Sequence, residues 1–133
     1  MKKSSLYQAV IFSLIVLSCN ISTLAQPKMT SETRGIIKIV AEEYKISNGQ
    51  SENWKDLISV YPIYKTGTGF SLSFLAKRNN QFNESDLLNG GIEIGSQIGS
   101  ILTLRVPINL LTGLSNLVGL EYLEVAGKVT PDL

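Results

Sequence analysis

Nucleophilic catalysis and transition-metal binding both lean on histidine, and this sequence of 133 residues contains none. Without an imidazole, neither a Ser-His-Asp nor a Cys-His nucleophile can be assembled, and a histidine metal cluster cannot form. Cys19 is the single cysteine, so no internal disulfide is available. Gly90, Gly91, Gly95 and Gly99 lie close together, but no Lys-Ser/Thr step follows them, so they read as turn residues and not as a phosphate cradle. The sequence therefore designates no catalytic, cofactor-binding or metal-binding residue, and the expectation is a protein that is not an enzyme and uses no cofactor. Twelve basic and 11 acidic side chains give a formal charge of +1 with no basic run. Nucleic acid has no electrostatic footprint here.

The elements around these residues begin with an export signal. Lys2 and Lys3 form a positive start, Ala9 to Leu17 an apolar stretch, and Thr23-Leu24-Ala25 a small-residue cleavage site. Cleavage after Ala25 is expected, giving an exported protein, periplasmic or extracellular. The apolar stretch is shorter than the ~20 residues a membrane span needs, so no membrane span is expected. Val16-Leu17-Ser18-Cys19 is a faint match to a lipobox that would make Cys19 a lipidated N-terminus, although leucine before the small residue is unusual there.

Residues 26–61 read as a helical extension. Ile36, Ile37, Val40, Ala41 and Tyr44, and then Trp54, Leu57, Ile58 and Tyr61, recur at helical spacing. Between them, Ser47-Asn48-Gly49-Gln50-Ser51 is a turn cluster, with Ser51 or Glu52 opening the second helix. Trp54 reads as a packing anchor, and the whole stretch as a cap or linker lying on the domain that follows.

From Pro62 the period changes. Phe70, Leu72, Phe74 and Ala76 alternate with Ser71, Ser73, Leu75 and Lys77 as a strand, entered through a turn at Thr66-Gly67-Thr68-Gly69. Asn83 caps a short helix carrying Leu87 and Leu88, with Asp86 at its third position and Gly90-Gly91 at its end. The same Asn83-Glu84-Ser85 is also a glycosylation sequon, but capping is its simpler use. Ile92, Ile94, Ile98, Leu102, Leu104 and Val106 mark two strands joined by a turn near Gly95 to Gly99. Pro107 then sits as a first helical residue before a stripe of Leu110, Leu111, Leu114 and Leu117. Leu120, Tyr122, Leu123 and Val125, with Glu121 and Glu124 between them, form a last strand ending at Gly127.

This order predicts an α+β fold: a ferredoxin-like split βαβ (βαββαβ) sandwich over residues 62–127, preceded by the helical extension and the signal peptide at 1–25, and followed by a tail at 128–133. Two helices would cover one sheet face and leave the other bare. That bare face would carry Ser71, Ser73, Leu75 and Lys77 from the first strand and Ile101, Thr103 and Arg105 from the third. Such a surface suits a partner, or is an ordinary solvated face. A domain of ~60 residues buries only about 60% of its unfolded surface and is marginal alone, which docking on a partner would cure.

The run Gly91-Ile92-Glu93-Ile94-Gly95, continuing at Gly99-Ser100-Ile101-Leu102-Thr103-Leu104-Arg105-Val106-Pro107, the leucines after it, and Leu120-Glu121-Tyr122-Leu123-Glu124-Val125 resemble the N-terminal propeptide of secreted bacterial subtilisin-family serine peptidases. The similarity covers roughly residues 62–131, and the stretch before Pro62 resembles extensions ahead of some such propeptides. The resemblance implies an intramolecular chaperone and inhibitor. Its open sheet face would pack on two surface helices of the peptidase, and its tail would lie substrate-like in the active cleft. By motif position Glu124 matches a carboxylate that caps those helices, with Glu121 a second candidate. A carboxylate at a helix N-terminus meets unpaired N–H groups and the positive dipole end, although both glutamates could equally keep an edge strand soluble. The tail Lys128-Val129-Thr130-Pro131-Asp132-Leu133 would enter the cleft as an added strand, with Pro131 unable to donate to it.

The chain departs from a subtilisin precursor in lacking the Asp-Thr-Gly, His-Gly-Thr-His and Gly-Thr-Ser motifs of the catalytic domain. Its expected partner is thus a peptidase domain in cis within a longer precursor, or in trans. A competing reading is an exported binding module, either ferredoxin-like or a leucine-rich-repeat fragment built on Leu110, Leu111, Leu114, Leu117, Leu120 and Leu123. One repeat cannot bury a solenoid core, which takes at least three.

Overall fold

The structure, a computed structural model, describes residues 26–67 and 69–127. The expected signal peptide with Cys19, and the tail at 128–133, lie outside the described residues.

Two capped helices come first. Helix α1 (Ser31–Ser47) opens where the Thr30 hydroxyl oxygen accepts the Thr33 N–H at 3.1 Å, and it closes at Asn48 in the left-handed region. Helix α2 (Glu52–Val60) opens at Ser51, whose hydroxyl oxygen accepts the Trp54 N–H at 3.0 Å. Each cap satisfies a donor that the first helical turn leaves unpaired. Val40 of α1 and Trp54 of α2 are fully buried, in one cluster with the leucines of the sheet. The Trp54 ring lies 5.1 Å from Tyr44 and 5.3 Å from Phe70, centroid to centroid. The helical stretch and the sheet therefore share a single core.

The sheet begins with a strand the sequence pattern does not announce. Strand β1 (Ile63–Thr66) pairs antiparallel with β2 (Gly69–Arg78), from Ile63 opposite Leu72 to Thr66 opposite Gly69. Four residues are too few to display a period. Helix α3 (Glu84–Asn89) follows as expected, with Asn83 Oδ1 accepting the Ser85 N–H at 3.1 Å. Strands β3 (Glu93–Ile98) and β4 (Ile101–Pro107) form the hairpin, joined by Gly99 and Ser100 alone. Gly99 has a φ of 61°, a conformation in which a two-residue hairpin loop favours glycine. Gly95, expected at this turn, instead lies inside β3, where the register shifts between Ile94 and Gln97. Strand β5 (Leu120–Val125) pairs antiparallel with β2, from Phe74 opposite Val125 to Arg78 opposite Leu120.

The strand order β5-β2-β4-β3 is that of the ferredoxin-like arrangement expected from the sequence. One element differs in kind, because the segment after Pro107 is a 3-10 helix, Ile108–Asn116, and Pro107 precedes it in an extended conformation. Its buried residues, Ile108, Leu111 and Leu114, recur every third position. Three residues per turn is the 3-10 period, and it stacks these side chains on one face. Runs of this length are uncommon in isolation, so packing against α1 and the sheet supports the segment. Leu111, Leu114, Leu120 and Leu123 thus join a mixed core, and β5 runs antiparallel to its neighbour, unlike a stacked parallel repeat.

Strands β1 and β5 lie end to end along one edge of β2. They meet at Ser73, whose N–H donates to the Pro62 carbonyl and whose carbonyl accepts from Ala126 N–H, each at 3.0 Å. Helix-side coverage is complete: Leu72, Phe74, Ala76, Leu102, Leu104, Val106 and Leu123 are at most 1% exposed. No helix among the described residues is long and apolar enough to cross a membrane.

Candidate functional site: the bare face of the sheet

Because side chains alternate along a strand, the register that buries Leu72, Phe74 and Ala76 turns Ser71, Ser73, Leu75 and Lys77 the other way. Cross-strand pairing then sets their neighbours. Lys77 lies between Tyr122 and Ile101, Leu75 between Glu124 and Thr103, Ser73 beside Arg105, and Ser71 between Tyr64 and Pro107. Glu93 stands opposite Arg105 on the far side of β4. No helix among the described residues covers this face. On its two central strands the small Ser73 and Thr103 stand among the longer Leu75, Lys77, Ile101 and Arg105, and Ser71 is itself buried.

A depression in this face lies at the β3 bulge. Thr103 Oγ1 accepts the Ser96 N–H at 2.9 Å and holds the extra residue in place. A Cβ on Gly95 would collide with that same Thr103 hydroxyl. Glycine there leaves an open depression of about 500 Å³ lined by Ser73, Glu93, Ile94, Gly95, Ser96, Thr103 and Arg105.

Three polar pairs frame the face. The Arg105 guanidinium carbon sits 4.8 Å from the Tyr64 ring centroid. Arg105 is on β4 and Tyr64 on β1, so the side chain must cross β2, where Ser71 and Ser73 leave it room. Lys77 Nζ lies 3.6 Å from Glu121 Oε2. Next to Lys77, its cross-strand partner, the Tyr122 hydroxyl donates to Glu124 Oε2 at 2.6 Å. That hydrogen bond, reinforced by desolvation and by the carboxylate charge, holds the Tyr122 phenol above the ordinary tyrosine range.

Of the two candidate carboxylates, Glu124 is half-buried on the bare face beside Leu75, whereas Glu121 is exposed at the irregularity where β5 passes Lys77 and Arg78. The outer edge of β5 is not left open. Lys28 N–H donates to the Glu121 carbonyl and Leu123 N–H to the Lys28 carbonyl, both at 3.0 Å, and Thr33 Oγ1 accepts the Val125 N–H at 3.3 Å. The remaining candidates, Lys128, Val129, Thr130, Pro131, Asp132 and Leu133, lie outside the described residues. The chain reaches them from Gly127, just past the junction where Pro62 begins the other half of the edge.

Tyr64, Glu93 and Tyr122 were not among the candidate residues. Tyr64 belongs to the strand too short to be read, and Glu93 needed the pairing register of the β3–β4 hairpin. Tyr122 had a legible signal, since two residues apart on a strand share a face and Glu124 follows it at that spacing.

No family model, curated protein or solved structure matches the chain.

Proposed function

We propose that this chain acts as the propeptide of a subtilisin-type serine peptidase, serving as folding chaperone and inhibitor, in cis within a longer precursor or in trans. The observation that carries the reading is the face of the ferredoxin-like sheet that no described helix covers, with Glu124 standing on it. A sheet face left bare by its own helices is available to a partner's surface such as a pair of helices. Glu124 spends one oxygen on the Tyr122 hydroxyl; an ionised carboxylate has about four acceptor positions, so others remain for the N–H groups at a partner helix's N-terminus. The segment 128–133 then runs substrate-like into the active cleft, and the protein works outside the cytoplasm, where such peptidases are exported.

The test is inhibition of a secreted subtilisin hydrolysing a chromogenic peptide. The full chain is expected to inhibit tightly and competitively. A chain ending at Gly127 should still bind but roughly 100-fold more weakly, a loss of two factors of ten in affinity. Equal potency of the two would remove the cleft-insertion step while sparing the sheet contact. A full chain that inhibits no subtilisin-type peptidase would overturn the proposal in favour of an exported binding module.

A further inference from the structure

We infer that Arg105, stacked on Tyr64, is the anchor through which the bare face takes a carboxylate side chain from its protein partner. The inference rests on the propeptide reading for the identity of that partner.

The geometry is that of a preset cation. Arg105 reaches across β2 to lie 4.8 Å from the Tyr64 centroid. A guanidinium held against a ring face loses part of its freedom while its N–H donors remain available for hydrogen bonds. Ordering a long side chain is a large part of what an interface must overcome, and here the fold has done so beforehand. The cation is also unspent. Glu93 faces it directly across the strand pair, yet among the described residues Arg105 makes no ion pair, because the side chain leans away from Glu93 towards Tyr64. The other cation of the face, Lys77, is held by Glu121.

Charge complementarity then sets the partner's chemistry. A surface that covers this face removes water from Arg105, and a guanidinium buried without a counter-charge is strongly unfavourable. The partner must therefore bring an acid to this position. A carboxylate meets the guanidinium through two parallel hydrogen bonds, with the Ser73 hydroxyl on the adjoining strand as a further donor. Arginine and tyrosine are both enriched among the residues that carry most of an interface's binding energy.

Two measurements test this. In the inhibition assay, Arg105→Gln is expected to weaken the full chain about 30-fold, as hot-spot arginines do. Arg105→Lys should recover only part of that, since an ammonium cannot present the fork, and Tyr64→Ala should weaken inhibition about 5-fold through lost ordering. Arg105 is exposed in the free chain, so all three should melt within a few degrees of the parent. The second measurement needs no peptidase: N-acetylglutamate is titrated into the full chain while the arginine Nε–H resonances are followed by NMR. Arg105 is expected to respond at lower concentration than exposed Arg34. If the parent inhibits and Arg105→Gln inhibits equally, the anchor is overturned and the propeptide reading stands. If the parent inhibits nothing, the propeptide reading falls, and the titration alone decides the anchor: a preferential Arg105 response upholds it, and equal responses of Arg105 and Arg34 overturn it.

Discussion

Along β2, Leu72, Phe74 and Ala76 are at most 1% exposed, while Ser73, Leu75 and Lys77 between them keep contact with solvent. The two faces are made by the same strands, so backbone hydrogen bonding cannot distinguish them. What differs is what lies above each. One face meets α1, α3, the 3-10 segment and Trp54 of α2, and fills with leucine, phenylalanine and valine. The other meets no helix among the described residues and carries hydroxyls, Leu75, Ile101 and the charged Lys77, Glu93, Arg105 and Glu124. Stability thus resides on one side of a single sheet, which leaves the other side free to be specified for contact.

That separation can be broken most directly by truncating one residue on each face. Phe74→Ala on the covered side is expected to lose about 4 kcal/mol, the combined transfer and cavity penalty of a buried phenylalanine. Leu75→Ala, its neighbour on the bare side, should lose under about 1 kcal/mol. Urea unfolding of the two variants measures the contrast, and similar losses would show that the bare face also carries the fold.

Whether the helical stretch belongs to the covered face is sharpened at Trp54. Replacing it with alanine should lose about 3 kcal/mol or more, whereas a helix pair merely resting on the domain would scarcely register the change. Trp54→Phe should be far milder. Among the described residues the buried indole N–H has no hydrogen-bond partner, so phenylalanine removes an unsatisfied donor while keeping most of the ring contacts.

Strand β5 contributes to both faces, and Gly119 sets its start. This residue has a φ of 95°, and an added Cβ would lie 2.7 Å from the Phe82 Cα. Gly119→Ala should therefore lose about 2 kcal/mol through backbone strain and the collision, seen as a lowered urea midpoint. The smallest effect lies on the bare face alone. Glu124→Gln removes the carboxylate that holds the Tyr122 phenol up, so the phenolate absorbance should appear at lower pH. Because the folded value is raised, the stabilisation by this pair is fully present below the ordinary tyrosine pKa of about 10 and is lost as pH rises through the folded value. The variant should lack that alkaline loss.

Much of this architecture was legible in the amino-acid order. The alternation from Phe70 to Lys77 assigned both faces of β2, Ser51 and Asn83 were readable as helix starts, and the switch from helical to strand spacing separated the two halves. The missing elements share a cause. Strand β1 is one alternation long, the bulge at Gly95 depends on how β3 meets β4, and the 3-10 geometry follows from a three-residue leucine spacing that a helical stripe nearly matches. Of the candidate site, Glu124 was named by its motif position in the propeptide resemblance, and the β2–β5 register sets it beside Leu75. The pairings that give the face its charge pattern join residues far apart in the chain, and no local period encodes them.

Local patterning alone therefore determined the longer helices and strands and the inward face of β2, because propensity and alternation act within a few residues. Tertiary structure decided the rest. It set β1 and β5 end to end on β2, drew Val40 and Trp54 into the sheet's core, and laid Arg105 across two serines onto Tyr64. These outcomes depend on contacts between distant segments, whose energies exist only once the chain has closed on itself.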